Sequence, residues 1–84
     1  MDMSKFKALL DEQMSWPDYY SFKFVIKSEC KAQLLEILSD HKITEKLSKN
    51  GKYTSVTSRK LFNNSDEILE VYNSVNHIEG IIHL

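Results

Sequence analysis

The amino-acid sequence predicts an α+β fold, in which helices cover one face of a four-stranded antiparallel sheet. Polar and apolar residues alternate in several short stretches, as they do along a strand with one buried face. Between these stretches, apolar residues recur every three or four positions, which is typical of amphipathic helices. Asn50-Gly51 joins two of the alternating stretches. This dipeptide is the strongest short-range signal of a β-hairpin.

Length, charge and cysteine content limit the classes of protein to consider. The 84 residues suffice for a single domain, residues 1–84, with residues 1–16 as an N-terminal helical extension. The net charge of −1 argues against a dedicated nucleic-acid binder, which needs an excess of Lys and Arg. The single cysteine excludes an internal disulfide. No apolar run reaches the ~20 residues of a membrane span, so we expect a cytoplasmic location and no membrane partner.

The first third of the chain predicts a helix and a strand. Residues 3–14 carry apolar side chains at helical spacing, and Trp16-Pro17 ends the helix because proline disfavours helix in the residue before it. Its apolar stripe predicts packing on its own domain, against the open face or an edge of the sheet, or alternatively on a partner. Residues 19–28 then alternate. Their apolar side is formed by Tyr20, Phe22, Phe24 and Ile26.

A second helix is predicted over residues 29–40, with Ser28 as its N-cap. Residues 43–49 alternate again, and their charges are typical of an edge strand because charges discourage pairing with another chain. Asn50-Gly51 predicts a type I′ turn, in which both central residues have a positive φ. A strand over residues 52–62 follows the turn.

The last third predicts a helix and a final strand. Residues 66–76 form an apolar stripe at helical spacing, with Asn64 as the N-cap and Glu67 as the second member of a capping box. Residues 77–84 predict the last strand. After the N-terminal helix the order is β-α-β-β-α-β, which indicates a two-layer ferredoxin-like sandwich with sheet order 4-1-3-2.

Several short motifs resemble the YbeD-like family of small bacterial proteins. "WPDYYSFKF", from Trp16 to Phe24, resembles the family's entry into its first strand. The pattern Ser48-x-x-Gly51-x-Tyr53-x-Ser55-Val56-Thr57 resembles its hairpin signature, and a His follows the first long helix in both. The resemblance covers Trp16 to Leu84. The chain departs from the family pattern at four positions: Ile26, Ile43, Ser58 and Lys60.

The resemblance implies a ferredoxin-like fold similar to that of ACT-type regulatory domains. No activity is established for the family. ACT-type domains bind small metabolites at interfaces between paired domains, so the resemblance also implies a homodimer. A non-catalytic regulatory or binding module that acts on another protein or a small metabolite is therefore the expected function, and no cofactor is expected.

The candidate binding residues lie on the sheet face away from the helices. Val56 and Phe62 favour turning one side of the third strand toward the helices, so its other side is predicted to face outward. Hydroxyls and cations on that side could meet a carboxylate or phosphate group. The predicted site consists of Tyr53, Ser55, Thr57, Arg59 and Lys23.

Other kinds of site have weaker support. RNA-recognition modules share this topology, but they stack bases on aromatic residues of the central strands, where Tyr53 is the one ring predicted. An acylphosphatase-like enzyme would need an Arg in a phosphate loop after the first strand, where this chain has Lys27-Ser28-Glu29-Cys30. Cys30 is interpreted as a core residue. The three His residues lack the spacing of a metal site, and His41 is interpreted as a cation at a helix C-terminus.

Overall fold

The computed structural model describes residues 3–84 and confirms the predicted fold class. Its strands form one four-stranded antiparallel sheet in the order β2-β3-β1-β4, which is the predicted order counted from the other edge. In chain order the elements are α1 (Met3–Gln13), β1 (Asp18–Lys27), a short 3₁₀ helix (Ser28–Cys30), α2 (Lys31–Ile37), β2 (Lys42–Leu47), β3 (Tyr53–Phe62), α3 (Ser65–Val75) and β4 (Ile82–His83).

The two central strands, β1 and β3, give the sheet most of its length. They pair without a break from Asp18 opposite Phe62 to Lys27 opposite Tyr53. The outer strand β2 is the predicted edge strand. The other edge strand, β4, has two residues instead of the expected eight, because residues 76–80 form turns and Gly80 has a φ of 77°.

The core lies between the sheet and the helices. The alternation of β1 places Phe22, Phe24 and Ile26 on the inner face, where each is almost fully buried. Val56 and Phe62 of β3 are buried on the same face, as the sequence predicts. Burial of side chains of this size stabilises a fold by roughly 1.5–3 kcal/mol each. The helices contribute Leu34, Ile68 and Val75, and Leu38 is buried directly after the end of α2.

The helix α1 packs on α3 and leaves the outer sheet face open. The rings of Phe6 and Tyr72 meet edge to face with centroids 5.5 Å apart, and Lys7 Nζ lies 2.9 Å from a carboxylate oxygen of Asp66. Packing of α1 within its own domain is therefore confirmed, and α1 lies on α3 near the β4 edge of the sheet, where Met3 lines a cavity with His83, rather than on the open face. The apolar stripe of α1 contacts α3 through the rings of Phe6 and Tyr72, so the stripe is buried without use of the outer face.

The hairpin between β2 and β3 reverses the chain where it was predicted to, with a different turn. Gly51 has a φ of 74°, but Asn50 does not have a positive φ, so the turn is not type I′. The Gly51 N–H donates to Ser48 O at 2.9 Å, and the Ser48 N–H donates to Tyr53 O at 2.8 Å. The Ser48 hydroxyl oxygen also accepts from the Tyr53 N–H, which stabilises this longer loop.

Helix capping agrees with the prediction at α3 and differs at α2. The Asn64 side chain accepts from the Glu67 N–H at 3.1 Å, while the Glu67 carboxylate accepts from the Asn63 N–H rather than from that of Asn64. Ser28 is not an N-cap. Its hydroxyl donates to Gly51 O at 2.7 Å and is 2.8 Å from the Thr54 hydroxyl, so it joins the 3₁₀ helix to the hairpin.

Candidate binding surface on the outer sheet face

All five predicted site residues lie on the outer face of the two central strands. Strand alternation places them opposite the buried side chains, and residues directly opposite each other in neighbouring strands share a face. Lys23 pairs with Thr57 at the middle of the sheet. The remaining three predicted residues follow β3 to either side: Tyr53 opposite Lys27, Ser55 opposite Val25, and Arg59 opposite Ser21.

The outer face carries five cations and no acidic residue at its strand positions. Two cations, Lys23 and Lys27, come from β1, and Arg59 comes from β3. Lys42 lies opposite Arg59 and Lys46 lies opposite Ser55, so β2 contributes two more. The whole chain has 11 basic and 12 acidic residues and a net charge of −1. The outer face is therefore a local concentration of positive charge on a protein that is nearly neutral.

Part of this charge is placed unfavourably for the isolated fold. Lys42 and Arg59 are directly opposite each other in an antiparallel pair, where Cβ atoms are ~4.5–5.5 Å apart and like charges destabilise the sheet. An anion bound at the outer face would relieve this repulsion. No such relief comes from the strand residues on this face, because none of them is acidic.

A tyrosine at the end of β1 adds an aromatic surface that the sequence prediction missed. Tyr19 is 54% exposed, and the Arg59 guanidinium carbon lies 4.3 Å from its ring centroid. A guanidinium over a ring is a cation–π contact, which orients Arg59 at this end of the face. The same alternation that places Lys23 on the outer face also places Tyr19 there. Extending the predicted alternation from Ser21 by two residues toward the N-terminus would have identified Tyr19.

At the hairpin end, the outer face contains a shallow cavity of about 260 Å³. Tyr53 and Ser55 line it, and Val25 from the neighbouring strand supplies an apolar contact. Lys46 is the cation beside this cavity. The predicted residues are thus divided between two ends, with Tyr53 and Ser55 at the cavity and Arg59 beside Tyr19.

The side chains considered for other kinds of site take part in packing or hydrogen bonding within the fold. Cys30 is partly buried against the core, in agreement with its interpretation as a packing residue. Ser28, in the segment where an acylphosphatase-like enzyme would bind phosphate, uses its hydroxyl in contacts to Gly51 and Thr54. Residues 3–84 contain no group of three or more His, Cys, Asp or Glu side chains placed to hold a metal ion.

Comparison with known proteins classifies the chain. Residues 11–84 match the family described as "Protein of unknown function (DUF493)". The chain belongs to this family. The DUF493 match is consistent with the resemblance to YbeD-like proteins and extends it by five residues toward the N-terminus, from Trp16 to Asp11. No curated protein and no solved structure matches the chain. Within residues 3–84, no helix has the length and apolar character needed to cross a membrane.

Proposed function

We propose that this DUF493 protein is a non-catalytic binding module whose outer sheet face holds an acidic segment of a partner protein. The observation that carries the proposal is the set of five cations on this face with no acidic residue among its strand positions. Charged groups of this kind steer association and select partners of opposite charge. An ACT-like regulatory role and a cytoplasmic location belong to the same proposal.

The spread of the cations favours an extended partner over a small metabolite. Lys23 and Lys27 are four residues apart on β1, a separation of ~13 Å along a strand. Lys46 lies two strands from β1, ~10 Å across the sheet. A small anionic metabolite in the cavity beside Tyr53 would meet Lys46 but not the other end of the face. An acidic peptide could contact cations on all three strands.

A homodimer, if the protein forms one, would use another surface. Joining two outer faces would bring two sets of five cations together with no strand carboxylate between them. Such like-charge contact across an interface costs free energy. We therefore place any contact between copies away from this face.

Single-stranded RNA is the second candidate partner, and one observation favours it. The outer face carries two tyrosines, Tyr19 and Tyr53, rather than one. Stacking is worth ~1–3 kcal/mol per base, so two rings and five cations could hold a short strand. The Tyr19 ring is already covered by Arg59, which makes an acidic peptide the better match.

An NMR titration distinguishes these partners. The ¹⁵N-labelled protein is titrated with a twelve-residue peptide of alternating Glu and Ser, with a neutral Gln/Ser peptide, and with a uridine dodecanucleotide. The proposal predicts saturable amide shifts on β1, β2 and β3 with the acidic peptide and weaker shifts with RNA. Tighter binding of the RNA would support the second candidate. No shift with either anion, or equal shifts with the neutral peptide, would contradict the proposed surface.

Matched charge variants locate the binding. Lys23→Gln with Lys46→Gln removes two cations from the outer face, and Lys5→Gln with Lys49→Gln removes two from the N-terminal helix and the hairpin loop. Exposed ion pairs contribute ~0.2–1 kcal/mol each, so the first variant should bind the acidic peptide several-fold more weakly. The second should bind nearly as the unmodified protein does. Equal weakening in both variants would show that only net charge matters.

A further inference from the structure

The backbone of β2 is open along one edge. The strand pairs with β3 on one side, and within residues 3–84 no strand pairs with it on the other. The Ser48 N–H donates to Tyr53 O, at the start of β3, and in an antiparallel strand the backbone groups of alternate residues point to the same neighbour. The N–H and C=O groups of Ile43, Glu45 and Leu47 therefore point away from the sheet. Each of these residues offers one hydrogen-bond donor and one acceptor.

The two sides of this edge differ in character. Lys42 and Lys46 lie on the outer face, and in the described part of the chain neither forms an ion pair. On the inner side, Ile43 packs against the core, and Leu47 is 60% exposed. A strand added at this edge would thus meet cations on one of its faces and apolar side chains on the other.

Charge selects the occupant of the edge. If two copies paired their β2 edges in an antiparallel arrangement about Thr44, Lys42 of each copy would lie opposite Lys46 of the other. Like charges directly opposite each other destabilise a sheet, so these lysines discourage pairing between copies. A strand with carboxylates at the same positions replaces the repulsion by attraction. Lys42 gains further from such a partner, because it already lies opposite Arg59 of β3.

The acidic residue of β2 does not oppose an acidic partner. Glu45 lies on the inner side of the strand, and the Nζ of Lys31 in α2 is 3.1 Å from its carboxylate. This ion pair compensates the charge of Glu45. Carboxylates of an added strand would lie on the outer face instead, beside the two lysines of β2.

We infer that the open edge of β2 binds an extended segment of a partner protein, with alternating acidic and apolar residues, as an additional antiparallel strand. The backbone of the segment would exchange hydrogen bonds with Ile43, Glu45 and Leu47. Its outward side chains would be carboxylates beside Lys42 and Lys46. Its inward side chains would be apolar, beside Ile43 and Leu47. The inference rests on the proposed function, because the partner is the same acidic segment, and it adds how the backbone of that segment is held.

Backbone methylation of a peptide tests for an added strand. The probe is an eight-residue peptide of alternating Glu and Val with blocked ends, and its affinity is measured by calorimetry. With Glu on the outer face, the Val N–H groups point to β2 and the Glu N–H groups point to solvent. Methylation of the Val nitrogens should weaken binding about tenfold or more, because it removes hydrogen bonds to β2. Methylation of the Glu nitrogens should leave the affinity nearly unchanged.

The same peptides separate this inference from the function proposed for the outer face. Equal affinities of the two methylated peptides would overturn the added strand, while binding of the unmethylated peptide would still support the acidic partner. No binding of the unmethylated peptide would contradict both.

Hydrogen exchange identifies the edge that is used. With the unmethylated peptide bound, exchange of the Ile43, Glu45 and Leu47 amides should slow, because their N–H groups become hydrogen-bonded. The amides of Thr44 and Lys46 point to β3 already and should change less. Unchanged exchange at the three edge amides would overturn the inference.

Two variants of one residue separate backbone pairing from charge. Glu45→Pro removes an N–H that points away from the sheet, a position at which an edge strand tolerates proline. Glu45→Gln removes the same carboxylate but keeps the N–H, so it should bind the Glu/Val peptide about tenfold more tightly than Glu45→Pro does. Equal affinities of the two variants would overturn the inference. If Glu45→Pro does not fold, the methylated peptides decide the question on the unmodified protein.

Discussion

Lys23 on β1 lies directly opposite Thr57 on β3, at the middle of an outer sheet face that α1 leaves uncovered. This pair places a cation and a hydroxyl next to each other where both central strands are accessible. Around it the strand alternation places four further cations: Lys27, Lys42, Lys46 and Arg59. The positive face therefore follows from the sheet register.

The like-charge pair of Lys42 and Arg59 predicts a stabilising substitution. Lys42→Glu would convert the repulsive cross-strand pair into an attractive one. We expect a gain of roughly 0.2–1 kcal/mol in the free energy of unfolding. Urea denaturation at low ionic strength measures it, and salt should reduce the gain because the pair is exposed. The same variant should bind an acidic peptide more weakly than Lys42→Gln, so that stability and binding change in opposite directions. A loss of stability in Lys42→Glu would show that this register is wrong.

Removal of the N-cap of α3 should reduce stability, whereas the same substitution at the preceding residue should not. Asn64→Ala removes the side chain that accepts from the Glu67 N–H, and we expect a loss of about 1 kcal/mol. Asn63→Ala is the matched control, because Asn63 contributes its backbone N–H to Glu67 and alanine retains that group. Thermal or urea denaturation compares the two. A similar loss in both variants would count against Asn64 as the cap.

Removal of the Ser28 hydroxyl should cause a second local loss of stability. Ser28→Ala would leave the buried Thr54 hydroxyl and the Gly51 carbonyl without this partner. A buried polar group left unpaired costs ~1–3 kcal/mol, so the free energy of unfolding should fall by that amount. Ser39→Ala, at an exposed position after α2, should have little effect. Hydrogen exchange should also quicken in the hairpin of Ser28→Ala, and unchanged exchange there would contradict the link between the 3₁₀ helix and the hairpin.

His41 predicts a pH dependence of stability. Burial lowers its pKa in the folded protein relative to the unfolded value of about 6.5. The unfolded state then binds more protons between the two values, so stability is complete above about pH 6.5 and falls as the pH drops toward the folded pKa. The slope cannot exceed ~1.4 kcal/mol per pH unit for one proton. Asp40 has a lowered pKa because Lys60 donates a hydrogen bond to it, and its contribution is lost only below its ordinary value of 3.8.

Substitution of single histidines tests whether His41 causes the pH dependence of stability. Urea denaturation of the unmodified protein at pH 7.5 and pH 5 should show lower stability at pH 5. His41→Phe should reduce this difference, while His77→Gln, at an exposed position, should retain it. A difference that survives in His41→Phe would assign the pH dependence to other groups.

Much of the fold could be predicted because local patterns determined it. The alternation of Phe22, Phe24 and Ile26 identified β1 and its buried side, and the change of period after Ser28 identified α2. The N-cap at Asn64 was also clear from sequence, because its side chain acts on a residue three positions away. These features depend on contacts within one element, and the sequence displays them directly.

The sheet order was predicted from topology rules, but two details that depend on contacts between distant elements were not. The position of α1 depends on the ring of Tyr72, which is more than sixty residues away from Phe6 along the chain. Ser28 serves the hairpin rather than the helix, because Gly51 and Thr54 come within reach only after the sheet has formed.

The predicted site residues were placed on the correct face, but the extent of that face was underestimated. The alternation of residues 43–49 put Lys46 on the side opposite Ile43 and Leu47, but the predicted site did not include β2, whose register with β3 places Lys42 and Lys46 beside it. The burial of His41 was missed for a similar reason, since the rings of Phe22 and Phe62 that enclose it come from two different strands.

Site-specific photo-crosslinking in the protein's own host tests the central claim most directly. A benzoylphenylalanine replaces Ser55 on the outer face or, as a control, Gln33 at an exposed position of α2. The account predicts a protein adduct formed from position 55 and not from position 33, with the crosslink mapped by mass spectrometry to a segment rich in Asp and Glu. An RNA adduct from position 55 would favour the second candidate. Equal adducts from both positions, or none from position 55, would contradict the proposed binding surface.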